Sequence, residues 1–196
     1  MVLRNVVGIY SVTPDTIRSK IHQPFEDLEI GSLSGKRVVI KPNIVGPFPD
    51  GYITPKAAIR ATIDYLRERN ESLQIIIAEA PPMDINFGEV VKATGIDKLV
   101  EEYGGDVELI DVKNPRLERE EFEFKYHDSG YIEIWEGFID PDTFFISMPT
   151  IKTHIQTLLT MASKNLKGCI ESTYQKGFHM SGLHDAIKAL NKNCKA

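Results

Sequence analysis

The segment RVVIKPNIV at residues 37–45 is the part of the chain on which the architecture depends. Its residues are apolar and β-branched in a nearly continuous run, which is typical of a strand that is covered on both faces. Similar runs follow it: LQIIIAEA at 73–80, VELIDV at 107–112 and TFFISMPTI at 143–151. Helical patterns separate the runs, and strands joined through helices by short connections form right-handed crossovers. The sequence therefore predicts an α/β fold with a mostly parallel, doubly wound sheet and helices on both of its faces.

The helical patterns differ in how they begin and end. TPKAAIRATIDYLRERN at 54–70 opens with Thr54 as the N-cap and Pro55 in the first helical position. FGEVVKATGIDKLVEEYGG at 87–105 indicates two short helices separated at a glycine. HIQTLLTMASKNLKG at 154–168 predicts a helix that ends at Gly168, and SGLHDAIKALNKNCKA at 181–196 predicts a final helix.

One segment does not fit the alternation of strands and helices. EFEFKYHDSGYIEIWEG at 121–137 alternates strictly on both sides of HDSG, which predicts an antiparallel β-hairpin inserted into the α/β core. The expected organisation is one α/β domain over 1–196 with this hairpin at 121–137. Since few doubly wound sheets stop at four parallel strands, a complete domain and a truncated one both stay open.

Composition narrows the class of protein. The net charge of -5 and the pI of about 5.6 argue against a general nucleic-acid or membrane-surface binder, because both are polyanions. The two cysteines, Cys169 and Cys194, provide no disulfide framework, and they exclude a self-contained iron–sulfur cluster, which needs about four thiolates. The N-terminal MVLRNVVGIY is too short and too polar for a signal peptide or a membrane span. We expect a cytoplasmic protein.

Polar residues follow the apolar runs at the positions where strands should end. Lys41 and Asn43 end the first run, Glu79 ends the second, and Lys152 and His154 follow the fourth. In open α/β sheets ligands bind outside the carboxyl ends of the strands. We therefore expect these side chains to converge at one rim, with Lys164 and Asn165 on the helix that comes next.

The region from 143 to 170 contains three lysines and no acid, in a chain that is acidic overall. This asymmetry predicts a site for a small anion, either a carboxylate or a phosphate. The alternative is that each lysine is a solvated cap after a strand, and the co-location of the group is what favours a site.

Other residues leave two interpretations open. His154 is either a general acid or base or a histidine bonded to backbone at a helix N-terminus. Cys169 is either a thiol activated by nearby lysines or a small buried hydrophobe, and the second is favoured. His179 and His184 could ligate a metal together with Asp185, but their spacing of five places them on different helical faces. No dinucleotide fingerprint, Walker A loop or G-x-S-x-G elbow occurs.

Five motifs in order resemble domain-of-unknown-function family 362: VVIKPNIVG, ITPKAAIRATIDYL, IIIAEAP, FFISMPTIKTH and TMASKNLKG. That family has an I-K-P-N strand tip, a Thr-Pro helix start, a K-x-H after a late strand and a K-N-hydrophobic-x-G helix end. The resemblance runs from about residue 38 to about residue 189. Met161 and Lys167 depart from the family pattern. Related proteins usually continue further, so the chain resembles only the first part of the family domain.

The resemblance and the residue patterns together give the candidate site. The candidate ligand-binding residues are Lys41, Asn43, Thr54, Lys164, Asn165 and Gly168, and the candidate catalytic residues are His154, Glu79 and Lys152. No metal ligand is assigned, and the cofactor is unknown.

Two functions follow from these residues. The first is an enzyme that binds a small anion and moves a proton on it through His154 or Glu79. The second is a non-catalytic accessory module that docks an acidic partner. Because family members often lie beside or are fused to ferredoxin-type modules, the resemblance implies iron–sulfur or metalloprotein partners for this second function.

Overall fold

The structure is a computed structural model that describes residues 8–28, 30, 33, 36–82, 85–170, 174–175, 178 and 182–194. None of the helices in this part of the chain has the length and apolar character that a membrane crossing requires.

A four-stranded parallel sheet forms the centre of the fold, as the sequence predicts. Its strands are β1 (Arg37–Pro42), β2 (Gln74–Glu79), β3 (Val107–Asp111) and β6 (Thr143–Met148), in the order β3-β2-β1-β6. Each strand lies within one of the four apolar runs. β1 ends at Pro42, where the missing N–H of proline can no longer serve the ladder.

Helices on one face of the sheet connect the first three strands. They are α3 (Lys56–Arg69), α4 (Phe87–Thr94) and α5 (Ile96–Glu101), which follow α1 (Ile17–Lys20) and α2 (His22–Asp27). Gly95 separates α4 from α5 with a φ of 69°, a left-handed conformation that glycine adopts without a steric penalty. Side chains of alternate strand residues, such as Val38 and Ile40, pack against α3, α4 and α5 in a buried core.

The opposite face carries a second core, built by the inserted hairpin and the C-terminal elements. The predicted hairpin is present as β4 (Arg119–Glu123) and β5 (Tyr131–Trp135), which are antiparallel. A 3-10 turn at Glu136–Phe138 follows it. α6 (Ala162–Asn165), a 3-10 turn at Leu166–Cys169 and α7 (Leu183–Asn193) complete this layer. Val39 and Ile76 point into this second core with Leu183, Ile187 and Leu190 of α7.

The helix predicted over 154–168 is wrong. Its first part is a second antiparallel pair, β7 (Lys152–His154) and β8 (Leu158–Thr160), and helical structure begins only at Ala162. Within IKTHIQTLLT at 151–160, Leu158 adopts a left-handed φ of 63°, which a right-handed helix does not allow. Gly168, the predicted end of this helix, lies in the 3-10 turn at Leu166–Cys169.

The start of α3 also differs from the prediction by one position. Pro55, not Thr54, is the N-cap residue, and it makes no side-chain cap hydrogen bond. The Thr54 hydroxyl is engaged elsewhere, in contacts to β1 and β6 that are described below.

Candidate functional site

Lys41 and Glu79 form a buried ion pair at the carboxyl ends of β1 and β2. Their exposed fractions are 1% and 3%, and Lys41 Nζ lies 2.6 Å from Glu79 Oε1. Lys41 Nζ also donates to Pro42 O at 2.9 Å and to Asn165 Oδ1 at 3.3 Å. The three donors of this ammonium therefore all have acceptors within the protein.

The Glu79 carboxylate has two further donors from the backbone. Ile44 N donates to Oε2 at 2.9 Å and Ala80 N donates to Oε1 at 3.0 Å. Burial holds the pKa of Glu79 above its ordinary value, although the Lys41 ammonium and these N–H groups counteract part of the rise. Wherever the proton resides within it, the Lys41–Glu79 pair carries no net charge.

Asn165 connects this pair to β6. Its Nδ2 donates to Lys41 O and to Ser147 Oγ, each at 3.1 Å, and Ser147 is the register partner of Lys41 in the parallel ladder. Because Nδ2 must face these acceptors, Asn165 Oδ1 must face Lys41 Nζ, and it also accepts from Asn43 Nδ2 at 3.2 Å. The network fixes the orientation of both amides and holds α6 on the ends of β1 and β6.

Thr54 supports the loop after β1 and lies outside the cavity lining. Its Oγ1 accepts from Asn43 N at 2.8 Å and donates to Met148 O at 2.5 Å. The hydroxyl thus ties the end of β1 to the end of β6. Thr54 therefore contributes to the cavity through the position of Asn43 and not as part of the lining.

Position 168 requires glycine because the backbone there lies close to the Lys41–Glu79 ion pair. A methyl group at this position would lie 2.5 Å from Lys41 Nζ and 2.6 Å from Lys41 Cε, and closer still to Glu79 Oε1. Any side chain here would have to displace buried atoms that are held by hydrogen bonds. The φ of this glycine is not positive, so the constraint is space.

A concave cavity of about 440 Å³ opens above these residues. Most of the sequence-predicted candidates line it: Lys41, Asn43, Glu79, His154, Lys164, Asn165 and Gly168. An apolar wall faces them, formed by Val45, Ala80, Pro82 and Ile85. The convergence of distant polar residues at the carboxyl ends of the strands, which the sequence predicts, is therefore present in the structure.

Lys164 and Lys167 bring two lysine ammonium groups to the lining of the cavity. Within the described part of the chain, the Lys164 ammonium has no hydrogen-bond or ion-pair acceptor. Burial lowers the pKa of Lys164, and the charges of Lys152 and Lys41 lower it further. Burial and the charge of Lys164 lower the pKa of Lys167 to about 8. Lys167 Nζ also lies 5.8 Å from the centroid of the Phe178 ring.

Lys152 lies next to the cavity and outside its lining. Its Nζ donates to Tyr52 O at 2.5 Å, a contact that ties β7 to the loop before α3. Burial lowers the pKa of Lys152, while the Glu79 carboxylate raises it. Its charge therefore acts on the site through space.

His154 lines the cavity with a defined tautomer. Its Nδ1 accepts from Gln156 N at 3.2 Å and from Thr157 N at 3.3 Å. Since Nδ1 accepts from two N–H donors, the proton of the neutral ring is on Nε2. His154 belongs to β7 and not, as one interpretation expected, to a helix N-terminus. The hydrogen bonds to backbone that this interpretation included are present, in the turn that follows β7.

The candidate list from the sequence omitted two residues of the site, of which Lys167 was counted only among the three lysines of the acid-free region. Lys167 follows Lys164 by three positions in the acid-free region, and this spacing on a helical turn was the available signal. Ser147 had no signal of its own, because its role depends on the register between β1 and β6.

The alternative of an activated Cys169 thiol is wrong. Cys169 is fully buried, and burial together with the neighbouring Cys194 thiol raises its pKa well above the ordinary range. Cys169 packs in the second core, as the favoured interpretation predicts.

The histidines proposed as metal ligands do not gain support. His179 lies outside the described residues, and His184 is exposed on α7. Among the residues that the structure describes, no three His, Cys, Asp or Glu side chains are grouped closely enough to hold a metal ion.

No curated protein and no solved structure matches the chain. A family model does match, with the description "Domain of unknown function (DUF362)", and it covers residues 38–196, which include every candidate residue of the cavity. The chain belongs to this DUF362 family.

Proposed function

We propose that the protein binds a small organic anion, a carboxylate or a phosphate, in the cavity at the carboxyl ends of β1, β2 and β6. The observation that carries the proposal is a pair of partly buried ammonium groups, Lys164 and Lys167, that line a concave cavity whose Lys41–Glu79 pair is neutral. A concave site suits a small ligand, whereas a docking face is flatter.

The lowered pKa values of Lys164 and Lys167 support this proposal. Both values are lowered first by burial and then by neighbouring positive charge. A ligand anion would counteract the mutual repulsion, and bulk salt screens partly buried charges poorly. Binding would therefore relieve an unfavourable interaction that exists in the ligand-free protein.

The arrangement also supports a hydrogen bond from His154 to the bound anion. His154 presents a protonated Nε2 in the tautomer fixed by its backbone contacts, so the neutral ring can donate a hydrogen bond to the bound anion. Glu79 is less suited to act as a base, because its oxygens already accept from Lys41 and from two backbone N–H groups. We assign the proton-bearing group that faces the anion to His154, and we assign a structural role to Glu79. Hydrogen-bond donation from His154 to the bound anion is the interaction to test first.

Calorimetric titration with propionate and with inorganic phosphate tests the binding. We expect one saturable site, and we expect Lys164→Met and Lys167→Met each to weaken binding by roughly 1–3 kcal/mol, the range for a charge-assisted hydrogen bond. Lys92→Met is the matched control, since Lys92 is exposed at the end of α4 on the other face of the sheet. Affinities that stay equal in all three variants would remove the proposal.

A second candidate function is a docking module for an acidic partner, such as a ferredoxin-type protein. The observation that favours it is the exposure of apolar side chains on the β7–β8 hairpin beside the cavity, with Ile155 95% and Leu158 77% exposed. Such a partner should bind the native chain more weakly as salt increases, and it should not bind Ile155→Asp. Propionate binding that is retained in Ile155→Asp would separate the two functions.

A further inference from the structure

We infer that Lys164 is a nucleophile that forms an imine with a 2-oxo acid bound in the cavity. The inference rests on the proposed anion binding and names both the class of ligand and the reaction that the same site performs. It is carried by the position of Lys164 in the cavity and by its relation to Lys167.

Lys164 differs from the other lysines of the site in its surroundings. Lys41 donates to three acceptors, Lys152 donates to Tyr52 O, and Lys167 lies over the Phe178 ring. The amine of Lys164 lines the cavity and has no acceptor among the described residues. An amine acts as a nucleophile only when it is neutral and unengaged, so Lys164 is the lysine of this group best placed to react.

The neighbouring charges favour the neutral amine. Burial lowers the pKa of Lys164, and the charges of Lys152 and Lys41 lower it further. A lysine beside other cations in a partly desolvated pocket is a recurring way to obtain a reactive amine.

The spacing of the two lysines identifies the class of ligand. Lys164 and Lys167 are three positions apart on adjoining helical turns, which places their side chains on one side, about 5–6 Å apart at Cβ. If Lys167 holds the carboxylate, the group that reaches Lys164 must lie within a bond or two of it. In a 2-oxo acid the carbonyl carbon is bonded directly to the carboxylate carbon. The apolar wall of Val45 and Ile85 is then available to the remaining carbon chain.

The chemical step consumes one proton, releases one water molecule and needs no other co-reactant. The neutral amine attacks the carbonyl carbon, and a proton moves from nitrogen to oxygen to give a carbinolamine. An acid then protonates the hydroxyl, the C–O bond breaks, and water leaves with formation of a C=N bond. The protonated imine has taken up one proton overall. The proton comes from solvent, and His154, which lines the same cavity with its proton on Nε2, donates a hydrogen bond to the hydroxyl that departs as water.

Reductive trapping tests the inference. The full chain is incubated with pyruvate and sodium borohydride, digested, and its peptides are mapped by mass spectrometry. We expect a carboxyethyl adduct on Lys164 of the native wild-type protein, and we expect urea-unfolded protein to lose this selectivity. Lys164→Arg, which has no comparable nucleophile, should lose the adduct.

The outcomes separate the imine from the binding site. Propionate binding without an adduct on Lys164 overturns the imine and leaves anion binding intact. An adduct spread over exposed lysines, or located mainly on Lys167, also overturns it. If neither propionate nor pyruvate binds and no adduct forms, both proposals fall. Because the adduct is mapped on the wild-type chain, the result does not depend on whether the Lys164→Arg variant folds.

Discussion

The Lys41–Glu79 pair is the side-chain contact on which the rest of the cavity depends. Both groups are almost fully buried, and the pair is bonded to the ends of β1 and β2 and to Asn165. A buried pair of this kind adds little compared with an apolar pair of the same shape, but removal of one partner leaves an uncompensated charge. The pair therefore determines how the site folds rather than how strongly it attracts an anion.

A double-mutant cycle tests this role. We expect Glu79→Gln to lower the free energy of unfolding by about 3–5 kcal/mol, because the Lys41 ammonium stays buried without its counter-ion. Lys41→Met should have a similar effect, and the double variant should lose clearly less than the sum of the single losses. Urea unfolding followed by circular dichroism measures all three.

The exposed Arg60–Glu102 pair is the control for this cycle. Its N···O distance is also 2.6 Å, but its side chains are 42% and 53% exposed. Replacement of either partner should change stability little, since water and salt screen exposed charges. Strictly additive losses at Lys41 and Glu79 would contradict the interpretation of a coupled pair.

Among the secondary-structure elements, the β7–β8 hairpin is the one that departs most from the sequence prediction, and it carries His154 to the cavity. Leu158, at the start of β8, has a φ of 63°, which is unfavourable for a residue with a Cβ by about 1–2 kcal/mol. The backbone of the hairpin is therefore strained at Leu158, and the exposed Leu158 side chain buries little surface.

Leu158→Asn should relieve this strain, because asparagine tolerates the left-handed conformation. We expect the hairpin to be stabilised by about 0.5–1 kcal/mol, seen as greater amide hydrogen-exchange protection in β7 and β8. Leu159→Asn, at the neighbouring position whose φ is not positive, should give no such gain. Equal protection in the two variants would show that the backbone conformation of Leu158 is not strained.

For the molecule as a whole, the cavity combines charges from elements that are far apart in the chain. Lys167 faces the charge of Lys164, the neutral Lys41–Glu79 pair, the ring of His154 and the ring of Phe178. Its pKa of about 8 places its loss of charge close to the physiological range. Anion binding should therefore depend on pH.

We expect propionate affinity to fall as pH rises above about 8, by at most about tenfold per pH unit for one lysine. The sign follows from linkage, because the anion binds the protonated lysine more tightly and a bound anion must then be accompanied by proton uptake. Lys167→Arg should remove this part of the pH dependence, since arginine stays protonated. Calorimetry from about pH 7 to about pH 10 measures both proteins, and an identical decline in both would assign the titration to another group.

The strands, their parallel order and the carboxyl-end location of the polar residues could be predicted from the chain, because each depends on local pattern and on general rules of connection. Apolar runs define the strands, Pro42 marks the end of β1, and Gly95 marks the end of α4. Helices between the strands require parallel pairing. The hairpin at 121–137 could also be predicted, because its alternation of residues is a local pattern. The β7–β8 pair was not, because threonine- and leucine-rich residues fit a short helix and a short hairpin almost equally well, and packing selects between them.

The local sequence was sufficient to place lysines, amides, a histidine and a glutamate at one rim. It could not indicate which positive charges are compensated. Lys41 and Glu79 are 38 positions apart and Lys41 and Asn165 are 124 positions apart. Charge compensation depends on distances of a few ångströms between residues that are distant in the chain, and those distances exist only after the strands are in register. Folding pairs Lys41 with Glu79 and brings Lys164 and Lys167 to the lining of the same cavity.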